Sequence, residues 1–232
     1  MPDLGHYIPG ADFSVNTHSL AGIILNGLPW GLVILGLLYY LRAPLVQLLP
    51  QPHRRAMASL IQTPVRLTPA LLSTVALSLM IGAATHVAWD ACTHLRGGLV
   101  AHAVWLQAPV FQYRWFVVPV YQVLQHLSTL LGVSVLIWAY GRWLRRVGLG
   151  GLVTADDVGD RRRYRVITGI AVLAFIGAFW LALHAIVGMR PDYILRVFTR
   201  EFVVQGTVLI VTLYTLCALV TYRFKLARNN AC

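Results

Sequence analysis

Hydrophobic positions in this chain come in five long runs, near residues 20–41, 67–91, 116–140, 166–187 and 202–222. Each is long enough, at about 1.5 Å per helical residue, to cross a hydrocarbon core of roughly 30 Å. None shows the alternation of a strand or the one-sided stripe of a helix half-exposed to water. The pattern therefore predicts an all-α fold, a polytopic membrane helix bundle of about five transmembrane helices in a single domain spanning residues 1–232.

The connections read differently. Residues 1–19 are polar for this chain and rich in Pro and Gly, which predicts a loop or short re-entrant piece. Ser19 suits the N-cap of the first span, because its hydroxyl can accept from an exposed helix amide. Residues 95–115 are apolar yet too short to span. They predict one interfacial helix, with Trp105, Tyr113 and Trp115 at headgroup level. Residues 142–165 carry GLGGL and then TADDVGDRRRYR. That reads as a flexible, solvated connection in which Asp156, Asp157 and Asp160 offset neighbouring arginines.

Composition narrows the class. With 58% hydrophobic and 12% charged residues, a soluble domain is excluded. The net charge of +11 would suggest nucleic acid in a soluble chain. Here the basic residues cluster between the apolar runs, where they record topology and contact with membrane lipids, so no nucleic-acid partner is expected. Fourteen Lys and Arg fall on one set of alternating connections and five on the other. The positive-inside rule then puts the N-terminus outside and the C-terminus in the cytoplasm, in the cytoplasmic (inner) membrane. No basic region precedes the first run, so a cleavable signal peptide is not expected. Cys92, Cys217 and Cys232 have no spacing that suggests disulfides or a Cys-based zinc site.

Candidate chemistry lies at the end of the second run, in GAATHVAWDACTH. His86, Asp90 and His94 recur every four residues and share one helix face. An Asp in mid-membrane costs roughly 2.5–3.5 kcal/mol on insertion scales, so something must pair with it. His86 and His94 lie about 12 Å apart along a helix axis, so one ion would take His86 with Asp90, or Asp90 with His94. The set would be completed from another element, and His18 in NTHS and Asp3 in PDLGH have the right type and side. His126, in YQVLQHLSTL, adds a polar group about ten residues into the third span, with Tyr121, Gln122 and Gln125 beside it. These could assist a metal site or simply hydrogen-bond between helices. His184 reads as a core histidine, and His6, His53 and His102 as surface or interfacial. The bland alternative for the cluster is a structural pin between the second and third spans.

PD near the start, THS before the first span, H-x3-D-x3-H closing the second and Y-Q-x3-H in the third resemble a bacterial multi-pass family classed as a domain of unknown function. That family is itself similar to inner-membrane metal-dependent hydrolase-like proteins of the YdjM type. The resemblance covers residues 2–144. It implies a metal site on Asp3, His18, His86 and Asp90, with His94 and His126 as further motif positions. Members usually carry a His-containing stretch before the PD, whereas this sequence begins at MPDLGH, within the motif; either the start is misplaced or that first element is absent, and in the second case one ligand would be missing.

The expectation is a metal-dependent hydrolase open to the outer membrane face, acting on a lipid-like or envelope substrate. Its ion would be divalent, zinc first, with manganese or iron fitting the same donors. His94 would be ligand or general base, and His126 a group that hydrogen-bonds to the ligands or polarises the substrate. Competing expectations are a transporter or proton-handling protein built on the same cluster, and a structural membrane protein without turnover.

Overall fold

A computed structural model of the chain describes residues 19–95, 97–113, 116–148 and 157–230. Five helices within it are long and apolar enough to cross a membrane, so the all-α multi-pass reading holds. The expected 1–18 loop, Trp115, most of GLGGL and Asp156 lie outside the described residues.

Contacts divide the described chain into two compact units, one of residues 19–34 and 66–146, the other of residues 35–65 and 147 onward. In the first, Ser19 Oγ accepts from Gly22 N at 3.0 Å and opens the single turn Leu20–Gly22, as a cap should. A π-helical turn, Ile23–Gly27, follows and leads into α1, Leu28–Leu48. The long helix α3 runs Pro69–Thr93; Pro69 occupies its first position and Thr68 Oγ1 accepts from Leu71 N at 3.2 Å. The π-helical turn packs on α3, and Gly31 lies against Leu79, where a Cβ would come within 3.2 Å of its methyls.

Two short helices follow α3, α4 (Gly98–His102) and α5 (Val104–Gln107), and then a hairpin of β1 (Pro109–Tyr113) and β2 (Phe116–Pro119). This corrects the single interfacial helix expected over residues 95–115, and it moves the start of the third span from Phe116 to Val120. Pro109 cannot continue a helix, and the β-branched and aromatic residues after it, Val110, Phe111, Tyr113, Phe116, Val117 and Val118, favour paired strands. Val120 N donates to Ala108 O at 3.0 Å and closes the base of the hairpin. Val100, Leu106 and Tyr121 form a small buried core there, so Tyr121 packs against apolar side chains instead of joining a polar stripe. Helix α6, Val120–Gly148, completes the unit. Its Leu130, Leu131, Leu136 and Ile137 are each about two-thirds exposed, a belt suited to lipid and costly in water.

In the second unit, α2 (His53–Gln62) follows the end of α1, and α7 (Asp157–Ala185) and α8 (Pro191–Asn230) form a long helical hairpin. α7 starts nine residues before the expected span 166–187 and ends two short of it, and α8 reaches beyond the expected 202–222 at both ends. The charged segment DVGDRRRYR is helix-competent and continues α7 past its apolar part, so the expected flexible connection is helical from Asp157 on and up to Gly148. The turn between α7 and α8 places Gly188 at φ +76°, a conformation that L side chains rarely adopt. Along the seam Ile170, Ala174, Ala178 and Ala182 are buried at helical spacing, with Gly177 and Gly206 beside them. Small residues let the two backbones approach closely, which is how membrane helices gain packing without a hydrophobic driving force. Next to the seam Phe175, Phe179, Phe198 and Phe202 interlock, with edge-to-face pairs of 5.4 and 5.7 Å across the two helices.

Candidate functional site

The candidate site sits at the C-terminal end of α3. His86 and Asp90 are both helical, and Asp90 is buried. His94 is not in the helix. It is the C-cap, with φ −112° and ψ 141°, and its N–H donates to Asp90 O. Its ring still turns back to Asp90, so the three side chains form one chain as the four-residue spacing predicts. His86 Nε2 lies 3.2 Å from Asp90 Oδ2, and His94 Nδ1 lies 3.3 Å from Asp90 Oδ1. Each carboxylate oxygen thus serves one imidazole. Exposure separates their roles: the Asp90 side chain is 11% exposed, against 41% for His86 and 52% for His94. The carboxylate is largely buried, whereas both rings are partly exposed.

Thr93 is buried, donates to Trp89 O at 3.0 Å and lies 3.3 Å from His94 Nδ1. It therefore fixes the last turn of α3 and touches the ring that leaves it. Trp89 Nε1 donates to Ser128 Oγ at 3.1 Å, which ties this turn to α6. Asn26, in the π-helical turn that packs on α3, has a buried amide Nδ2 without a hydrogen-bond partner among the described residues. Of Thr93, Trp89, Ser128 and Asn26, only the Asn, inside a long apolar run, carries a signal that could have been read in the sequence.

Gly97 fixes where the chain goes next. A Cβ there would meet Ala91 O at 2.5 Å and Asp90 O at 2.6 Å, both backbone atoms that cannot swing aside. Because Asp90 O also accepts from His94 N, that displacement would pass to the His94 ring. Gly97→Ala should lower stability by about 1–3 kcal/mol, seen as an earlier thermal transition in detergent. A transition unchanged from wild type would contradict this close approach.

The other expected site residues are not gathered in the same way. His126 is exposed on α6 and, among the described residues, no hydrogen bond or ion pair joins it to the cluster. His184 is exposed near the end of α7, contrary to the core reading. Asp3 and His18 lie outside the described residues. Among the described residues no three His, Cys, Asp or Glu side chains converge on one point that an ion could occupy. What is present is a pair of two-donor edges sharing Asp90. Two donors bound to one ion at about 2.0–2.1 Å with a tetrahedral angle stand roughly 3.3 Å apart; the observed 3.2 and 3.3 Å fit that edge and equally fit a direct imidazole–carboxylate contact.

No curated protein and no solved structure matches the chain. A family model does, over residues 1–222, a range that takes in the cluster, the first four long apolar helices and most of the fifth. The chain belongs to the family described as a domain of unknown function, DUF4184.

Proposed function

We propose that this is a membrane-embedded metal-dependent hydrolase acting on a lipid-like or envelope-associated substrate at the outer face of the cytoplasmic membrane. The observation that carries the reading is the His86–Asp90–His94 chain, with one buried carboxylate between two half-exposed imidazoles at ligand-edge spacing. Asp90 and His86 would hold a divalent ion, zinc first, with Asp3 and His18 completing its shell. A resemblance of the PD, THS and H-x3-D motifs to YdjM-type proteins would imply the same four positions. When bound, such an ion lowers the pKa of a coordinated water and polarises a phosphoryl or carbonyl oxygen. His94, the more exposed of the two rings, would serve as general base or as a further ligand. His126 would polarise a substrate arriving along α6. Orientation rests on the excess of Lys and Arg on the opposite set of connections.

A second reading, a proton- or cation-handling protein, draws on the same continuous His–Asp–His chain. It needs polar groups to continue along α3 towards the other membrane face. The hydroxyls found there are turned inward on their own helix: Ser73 and Thr74 donate to Ala70 O, Ser78 to Thr74 O and Thr85 to Ile81 O. Self-satisfied hydroxyls make a poor relay, which favours the hydrolase.

Metal content per chain tests the reading directly. Detergent-purified wild type should carry about one equivalent, as expected for a coupled His and carboxylate site, and His86→Ala and Asp90→Ala should lose it while staying folded. If all three remain metal-free after incubation with zinc and with manganese, the hydrolase reading is lost.

A further inference from the structure

We infer that Asn26 is a substrate-binding residue of the same site, and that its side-chain amide donates to the phosphoryl or carbonyl oxygen on which negative charge gathers during hydrolysis. The inference rests on the hydrolase reading above and adds to that site a neutral donor from a second helix.

Asn26 is the one side-chain amide in the apolar run 20–41, and the backbone around it departs from a regular helix. Leu28 N donates to Ile23 O, five residues back, so the turn Ile23–Gly27 holds one residue more than an α-helical turn. Such insertions break the regular ladder of hydrogen bonds and occur frequently at functional positions. Gly22, Ile23 and Gly27 are buried and the turn packs on α3, whereas Ile24 and Leu25 are exposed.

Register brings that turn to the depth of the cluster. Consecutive spans run antiparallel, and Gly31 lies against Leu79. Asn26 stands five residues before Gly31, about 7 Å along the axis, which on α3 is the level of Ala84, less than one turn from His86. Ala83 is buried at the same level. His86 keeps 41% of its side chain exposed there, so a ligand at the His86–Asp90 edge and the Asn26 amide share one depth.

The amide itself points to an absent acceptor. Nδ2 of Asn26 is buried and has no hydrogen-bond partner among the described residues. In apolar surroundings an unpaired N–H group is costly, and a leucine would fill the same space without that penalty. The nearby hydroxyl on α3 is not in this state, since Thr85 Oγ1 donates within its own helix, 3.0 Å from both Ile81 O and Gly82 O. Asn26 as a whole is only half-buried, so rotation about its side-chain bonds brings the amide to the open side. An oxygen arriving there gains a hydrogen bond for which no existing partner is given up.

The test uses the detergent-purified full chain loaded with zinc and titrated with inorganic phosphate or with acetate, as wild type and as Asn26→Leu. Zinc affinity should be the same in both. Binding of one probe should weaken roughly tenfold or more in the variant, as expected for loss of a donor to a charged oxygen, and that probe identifies the substrate group as phosphoryl or carbonyl. Without zinc or probe, Asn26→Leu should unfold at a higher temperature than wild type, because an unpaired amide has been removed. A direct readout comes from nuclear magnetic resonance of asparagine side chains labelled with nitrogen-15, since the chain has only Asn16, Asn26, Asn229 and Asn230. The amide signal missing from Asn26→Leu should shift when wild type is saturated with the probe. Equal affinity of the two proteins for both probes, or an unmoved Asn26 signal, overturns the inference and leaves the metal site standing. A lower unfolding temperature for Asn26→Leu makes the amide a structural group and overturns it too. A wild type that takes up no zinc overturns the hydrolase reading, and this donor role with it.

Discussion

Ala178→Leu should be among the most damaging single changes to the fold, costing about 3 kcal/mol or more through overpacking. Ala178 is fully buried on the α7–α8 seam, and its Cβ stands 3.5 Å from where a side chain at Gly206 would begin. A leucine adds three carbons to a contact set by backbone approach. Nothing there can rotate away to make room, because α8 offers a glycine backbone at that point. The helices would have to separate, which would also part the Phe175–Phe202 and Phe179–Phe198 pairs. Ala171→Leu is the matched control: the same substitution on the same helix, at an exposed position, with little expected change. Thermal unfolding in detergent, followed by tryptophan fluorescence, checks the pair. Indistinguishable transitions for the two variants would show that the seam is not closely packed.

That seam also shows what could be read from sequence and what could not. Five spans were legible because about 20 consecutive apolar residues have few other uses. Which face of each helix meets a neighbour was not, since Ala and Gly occur on every side of α7 and the pattern is apolar all round. The ends of α7 and α8 escaped for another reason. Hydropathy marks where lipid stops, whereas the helix continues into water as long as residues such as those of DVGDRRRYR tolerate it. The hairpin at Pro109–Pro119 was hidden by reasoning from length alone, although Pro109 followed by Val110, Phe111, Tyr113, Phe116 and Val117 carried a strand signal.

Within the site, the i,i+4 spacing of His86, Asp90 and His94 was enough to pair them, and the pairing survives even though His94 has left the helix. Contacts between elements were not available by the same route. Trp89 reaching Ser128 depends on how α3 and α6 lie together, and so does the failure of His126 to reach the cluster. Shared depth along two spans brings residues to one level; it does not turn them to one face. Likewise, Asp160 read as one of several carboxylates offsetting arginines, whereas its two oxygens clamp the α1–α2 corner to α7.

Asp90→Asn should separate chemistry from architecture at the cluster. Asparagine keeps the shape of the side chain and offers one oxygen and one NH2 group where the carboxylate has two oxygens. The oxygen can still accept from one imidazole, and the NH2 group can donate to the other in the appropriate tautomer. Both side-chain contacts, now at 3.2 and 3.3 Å, therefore have a hydrogen-bonded counterpart in the variant. Because His86 and His94 are partly exposed, neither ring is left as a buried orphan if a contact loosens, and stability should change by less than about 1 kcal/mol. A divalent cation responds differently, since it loses a negative ligand for a weak neutral one. Zinc affinity should fall by roughly a hundredfold or more, beyond the loss usual for a residue that only supports a ligand. Isothermal titration with zinc and a thermal melt on the same preparation read the two quantities separately. Unchanged zinc binding would remove Asp90 from any metal shell. A large drop in melting temperature with no zinc binding in either protein would make the cluster a structural pin.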